Sequence, residues 1–247
     1  MTSLDLLAVA ATFLFAGLVK GVIGLGLPTV AMGLLGALMP PAEAAALLVL
    51  PSLLTNAWQV LDGPRLGALL RRLAPLLGAV VLGTLGGAGA GLLPGRGSAT
   101  VGLGAALLAY AAFGLLPLRL PRVPPHAEPW AGPLVGLLTG VVTAATGVFV
   151  LPAVPYLQAL GLERDRLVQA LGLSFTVSTL ALAVALSWGG GFGGDTLGGS
   201  ALAVLPALAG MWLGGRLRGQ VSPAVFRRCF FLGLLGLGAH LLWQGMQ

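Results

Sequence analysis

Charge is what this sequence has least of. Only 8% of its 247 residues are Asp, Glu, Lys or Arg, where a soluble globular domain carries roughly a quarter, so a water-soluble domain of this length is excluded. Cysteine occurs once, as Cys229 inside an apolar stretch, which excludes intramolecular disulfides and cysteine-rich metal sites. The histidines are His126, in a polar loop, and His240, in the last apolar segment; neither has a second ligand at metal spacing, and both read as structural. No carboxylate lies deep in an apolar run. Asp5, Glu43, Asp62, Glu128, Glu163, Asp165 and Asp195 all stand in loops or at predicted helix ends, which leaves no plain intramembrane carrier of protons or sodium. No nucleophile with a nearby base and no catalytic carboxylate pair is visible, so an enzyme is not expected. No cofactor is expected either: GVIGLG looks like a phosphate-binding loop only superficially, since no strand precedes it.

What the chain has is apolar bulk and glycine, with 57% hydrophobic residues and 40 glycines. At about twenty residues per spanning helix, the length accommodates roughly eight membrane segments with little mass outside the bilayer. The formal net charge of +6 raises nucleic acid as a partner, but the basic residues sit singly or in pairs in short loops, where they report topology and not nucleic-acid binding. The opening MTSLDLLAVA has aspartate where a signal peptide has lysine or arginine, so this segment is expected to be retained.

The stretch Gly17 to Pro28, GLVKGVIGLGLP, organises the rest. Gly21, Gly24 and Gly26 weaken a helix and Pro28 removes a backbone donor, so the helix must stop or bend. The same grammar returns at Gly136 to Pro152, GLLTGVVTAATGVFVLP. Gly17, Gly21 and Gly33 fall on Gly136, Gly140 and Pro152 at one constant offset. The chain is therefore duplicated, and each half opens on a broken apolar helix.

Taken in order, the first repeat spans 1–118, with a hairpin at 5–38 and helices at 44–61, 73–93 and 99–118. A proline-rich junction follows at 119–129. The second repeat spans 130–247, with a hairpin at 130–160 and helices at 166–187, 196–214 and 224–243. The arginines decide between two topologies, because cytoplasmic loops collect basic residues. If each broken element crosses once, Arg65, Arg71, Arg72, Arg119 and Arg122 oppose Arg96, Arg164, Arg166, Arg216, Arg218, Arg227 and Arg228, which is hardly a bias. If each enters and returns as a re-entrant hairpin, all of these but Arg96 share one face. The expected fold is thus an all-α polytopic membrane protein of two inverted repeats, each a broken re-entrant helical hairpin plus three transmembrane helices, with both termini non-cytoplasmic.

Inverted repeats with broken helices are a recurrent plan of secondary transporters, with substrate held near the midplane. Half-helices beginning after Gly26 and near Gly147 would turn positive N-termini inward, which favours an anion. Lys20 is the only lysine and lies roughly 22 Å along the first helix from Asp5. An ammonium there is costly unless it meets a cavity or a partner, so it reads either as an anion anchor or as a side chain that snorkels or caps the break. The matching position holds Thr139. Behind each hairpin, Ser52 with Asn56 and Ser174 with Ser178 are spaced four apart and face one way; such residues serve substrate or interhelical hydrogen bonds alike. Thr55, Gln59, Gln169, Thr176 and Thr179 share that helical spacing. Gly24, Gly26, Thr143, Thr146 and Gly147 stand in the breaks themselves.

The duplicated GLVKGVIGLGLP and GVVTAATGVFVLPAVPYLQALGL, each followed by a helix such as AAALLVLPSLLTNAWQ or LVQALGLSFTVSTLAL, resemble the sulfite exporter TauE/SafE family of bacterial membrane permeases. The resemblance spans both halves. It implies a bacterial inner-membrane permease for sulfite, sulfoacetate or other organosulfonates, where family members often carry a glycine cluster at the second break and this chain has Thr143, Ala145 and Thr146. The expected partners are a small anion and the lipid bilayer. The glycine-rich faces suit a homo-oligomer or the chain's own helices equally. A passive anion channel, a permease for a carboxylate and a membrane scaffold remain as alternatives.

Overall fold

The structure is a computed structural model that describes residues 3–64, 66–93, 98–116, 120–188 and 194–247. Among them the chain folds into ten α-helices and no strand: α1 (Ser3–Ile23), α2 (Leu27–Gly36), α3 (Pro41–Leu61), α4 (Leu66–Gly89), α5 (Ser98–Leu115), α6 (Glu128–Thr146), α7 (Ala153–Ala159), α8 (Arg164–Trp188), α9 (Gly194–Leu217) and α10 (Pro223–Gly245). Seven of these contain segments long and apolar enough to cross a bilayer. Of the others, α2 has 10 residues and α7 has 7, about 15 and 10 Å of helix, too short to span a core of about 30 Å. Arg65, Arg96 and Arg119, which enter the charge count above, lie outside the described residues, as does the side chain of Asp195.

The breaks form where the backbone demands glycine. Gly24 and Gly26 take φ of 88° and 108°, a region a side chain disfavours. α1 ends before them, and α2 begins at once with Pro28 in its first turn, where a missing N–H costs nothing. α6 ends on Gly147, with φ 71°. The second short helix, expected near Gly147, does not start until Ala153. Val148, Phe149 and Val150 intervene as buried non-helical chain; β-branched and aromatic residues favour an extended backbone over a helix start.

The helices pair as α1 with α9, α6 with α4, α5 with α10, and α3 with α8, while α3 also meets α9 and α8 meets α4. Exchanging the first five helices for the last five turns α1–α9 into α6–α4 and α3–α9 into α8–α4, and leaves α3–α8 and α5–α10 as they are. Glycines let the paired helices approach closely. A methyl group on Gly17 or Gly21 would stand 2.2 Å from the carbonyl oxygen of Ala207 or Met211, and on Gly136 or Gly140 it would stand 2.2 or 2.3 Å from that of Leu76 or Val80. Both registers rise together, so α1 runs with α9 and α6 runs with α4. The α3–α8 pair runs in opposite directions, because Ser52 meets Thr179 while Gln169 meets Val60. That pair forms the centre: 61% and 67% of the apolar windows of α3 and α8 are buried, against 28% for α10.

Pro51 lies inside α3 and cannot donate to the Leu47 carbonyl four residues back. Ser200 of α9 supplies the missing donor, its Oγ at 2.9 Å from Leu47 O, and accepts the Leu50 N–H at 3.2 Å. Trp58, Trp130, Trp188, Trp212 and Trp243 are all exposed, close to helix ends, as interfacial anchors are.

Candidate functional site

Lys20 lies in the last turn of α1 and is 1% exposed. Its Nζ donates to Thr55 Oγ1 at 3.1 Å and to Asn56 Oδ1, both on α3. Thr55 passes its own proton to the Pro51 carbonyl at 2.7 Å. Asn56 Nδ2 donates to Ser52 Oγ at 3.1 Å, Ser52 Oγ lies 3.2 Å from Thr179 Oγ1, and Thr179 donates to the Phe175 carbonyl at 2.7 Å. With the Thr179 proton committed, Ser52 is the donor to Thr179. Every proton in this line therefore points away from Lys20, from the end of α1 across α3 into α8. Lys20 meets only neutral acceptors, and among the described residues no carboxylate pairs with it.

An ammonium offers three donors, and two are taken. Lys20 also lines a cavity of about 570 Å³ with Gly21, Gln59, Asp62, Val168, Met211, Arg216 and Arg218 among its walls. Arg216 lies over the Trp212 ring at 3.8 Å. A cavity of similar size, about 560 Å³, between α1, α2 and α10 is walled almost wholly by apolar side chains such as Phe15, Leu34 and Phe230; it offers little to an anion.

The carbonyls freed at the first break are held by side chains. Gln59 Nε2 donates to Gly24 O at 2.6 Å, and Arg218 Nε donates to Gly21 O and Val22 O at 3.2 and 3.1 Å. Irregular backbone at membrane depth needs such partners. Gly26 is the residue before α2. Of the residues singled out from sequence, Lys20, Ser52, Asn56 and Gly24 thus form one connected cluster through Gln59 and α3.

Ser174 and Ser178 lie on α8, fully buried, and among the described residues neither hydroxyl has a partner; the same holds for Thr29 Oγ1, Gln59 Oε1 and Gln169 Oε1. Buried polar atoms left unpaired call for a water or a ligand. The second break differs. Thr143 donates to Thr139 O and Thr146 to Val142 O, each at 2.7 Å, and Thr146 Oγ1 accepts the Val148 N–H at 3.1 Å. These hydroxyls secure the end of α6, and among the described residues no hydrogen bond joins them or Gly147 to the Lys20 cluster. Gly147 packs against Met32 of α2 and Ala45 of α3. Thr139, matched to Lys20, spends its proton on Val135 O at 2.7 Å. The lysine bond to Asn56 therefore has no counterpart between Thr139 and Ser178.

The profile of the sulfite exporter TauE/SafE family matches residues 9–241, nearly the whole chain. The chain belongs to the sulfite exporter TauE/SafE family. Comparisons with curated proteins and with solved structures returned no match. As a TauE/SafE member the protein is a multi-pass membrane transporter, of a family named for sulfite export. The matched span contains both breaks, the Lys20 line and the α3–α8 centre. Sequence had included Thr55, Gln59 and Thr179 only as helix-spaced polar groups, and Arg218 only as a loop charge.

Proposed function

We propose that this TauE/SafE protein exports a small sulfur-containing anion, sulfite or an organosulfonate, by alternating access, with Lys20 as the charge that binds it. The observation that carries this reading is the buried ammonium with only neutral acceptors, one unspent donor and a cavity beside it. A buried charge without a counter-charge is costly, and an entering anion offsets that cost. Gly24 and Gly26 bring backbone close to the bound anion, and the positive end of α2 adds to the attraction. Thr55 and Asn56 hold the lysine, and Ser52 holds Asn56. Ser174 and Ser178, unpartnered on the facing helix, donate once the anion or its water arrives. Thr143, Thr146 and Gly147 serve the opposite access state, at the second break.

The halves are read as inverted repeats. The exchange of helix pairings supports a two-fold relation between the halves, and the opposite directions of α3 and α8 support an axis in the membrane plane. On this reading both termini lie on the non-cytoplasmic side of a bacterial inner membrane and the arginine-bearing ends of α8, α9 and α10 lie in the cytoplasm, as the positive-inside rule favours. Rocking about the α3–α8 crossing would open the two breaks in turn.

Counterflow in proteoliposomes tests the proposal. Vesicles loaded with unlabelled sulfite, sulfoacetate, taurine, sulfate or chloride are followed for entry of labelled sulfite. Saturable exchange that Lys20→Ala weakens by about 10- to 100-fold is expected, the worth of a hydrogen bond to a charged group. Unchanged rate and affinity in Lys20→Ala would remove the lysine from the site. Unsaturated conductance would replace the carrier with a channel, and exchange of carboxylates alone would replace the substrate class.

A further inference from the structure

Arg164 opens α8, Arg218 follows α9, and Arg227 lies near the start of α10. All three line one cavity of about 360 Å³, together with Val22 and Ile23 from the end of α1. Among the described residues no carboxylate lines it and none of the three forms an ion pair. Arg72 shows what a satisfied arginine looks like here: its Nε and Nη2 reach Glu128 at 2.8 and 2.6 Å. The positive-inside rule accounts for arginine in loops, but not for arginines of three helices opening on one space without a counter-charge. Nor is the cluster isolated. Arg164 and Arg227 also line an adjoining cavity of about 490 Å³ with Tyr110 and Gln158, and Arg218 also lines the Lys20 cavity.

Size and chemistry fit one class of ligand. At roughly 30 Å³ per water molecule, the space holds a tetrahedral or pyramidal oxyanion with its first hydration waters. Guanidinium forks match such oxygens two at a time. Arg218 spends its Nε on the Gly21 and Val22 carbonyls, which fixes its stem where the side chain lines the space.

We propose that Arg164, Arg218 and Arg227 form a second anion site, separate from Lys20, that captures a small oxyanion group at the entrance to the transporter. The same chemistry admits two sources, a free sulfite-type anion or the phosphate of an anionic lipid headgroup. Service as an antechamber rests on the Lys20 reading; the binding itself does not.

The test is equilibrium binding of labelled sulfite to the full chain in phosphatidylcholine nanodiscs, comparing wild type, Lys20→Ala and the double variant Arg164→Gln/Arg227→Gln. Arg218 is left intact because it also caps α1. Arg164 and Arg227 are exposed, so the double variant is expected to melt like wild type. Two classes of site are expected in the wild type. The weaker one, lost steeply as salt screens it, should weaken about tenfold or more in the double variant and persist in Lys20→Ala. Repeating with phosphatidylglycerol in the discs separates the sources: displacement of this class marks the lipid phosphate as its ligand, and persistence marks the free anion. An isotherm of the double variant that overlays the wild type overturns the proposal, as does a single wild-type class that Lys20→Ala alone abolishes. Loss in the arginine variant with no change in Lys20→Ala sustains this site and overturns the Lys20 reading instead.

Discussion

At the scale of single residues, the charge state of the Lys20 pocket is what an anion carrier has to control. Asn56 is the informative neighbour, because its Oδ1 accepts from the ammonium while its Nδ2 reaches Ser52. Asn56→Asp places a carboxylate of nearly the same shape against Lys20, and Ser52 can turn its proton toward the new oxygen. The pocket then carries its own counter-charge. We expect the variant to melt no lower than wild type, while sulfite counterflow falls by about tenfold or more. A variant that transports at the wild-type rate would show that the lysine charge is not what holds the anion. Lys20 was legible in the sequence because one lysine in an apolar run must have a physical reason. Asn56 and Ser52 were legible because a spacing of four puts them on one helix face. Arg218 and Ser200 were not: each serves a carbonyl that only the break or Pro51 orphans, 197 and 153 residues away, and no local pattern encodes that distance.

Elements are held by two devices, glycine contact and the repair of interrupted helices. Ser200 repairs α3, and its hydroxyl has no other task than Leu47 O and Leu50 N–H. Ser200→Ala is expected to cost about 1–3 kcal/mol by leaving a buried carbonyl unpaired. In a Pro51→Ala background the new N–H of residue 51 can reach Leu47, so the same serine change should cost clearly less; equal losses in both backgrounds, measured by thermal unfolding in detergent, would break the link between Pro51 and Ser200. Gly17→Ala forces a methyl to within 2.2 Å of the Ala207 carbonyl oxygen, so α1 must move off α9. A lowered melting temperature, from about 1–3 kcal/mol of overpacking, is expected. Gly67→Ala, a site with open space around it, should leave the melt unchanged and serves as the control. Hydropathy located the long elements but not their ends. The second full crossing, read as 73–93, is α4 at Leu66–Gly89, because Arg71 and Arg72 depress the signal in a turn that is helical all the same. At the second break the glycine marked where α6 stops, but the buried run Val148 to Val150 that delays α7 looked no different from apolar helix.

For the whole molecule, orientation is the property on which mechanism depends. The contacts place the end of α1, the end of α9 and the starts of α8 and α10 around shared cavities, and Arg72 of α4 against Glu128 of α6. The junction is tied to the same region, with the Val123 N–H on Ala159 O at 3.0 Å and Gly161 against Arg122. If the halves are inverted, these points share the cytoplasmic face, while the end of α4 and the C-terminus of the chain lie opposite. Replacing Cys229, the only thiol, by serine gives a background in which single cysteines report sides. Cysteines at Arg122, Arg166 and Arg228 should resist an impermeant maleimide in intact spheroplasts and react after lysis. Cysteines at Leu92 and Gln247 should react in both. Arg122 and Gln247 reacting from the same side would mean that the second half crosses an odd number of times more than its hairpin allows. The two breaks would then no longer be related by an axis in the membrane plane, and rocking between them could not expose one site to each side in turn.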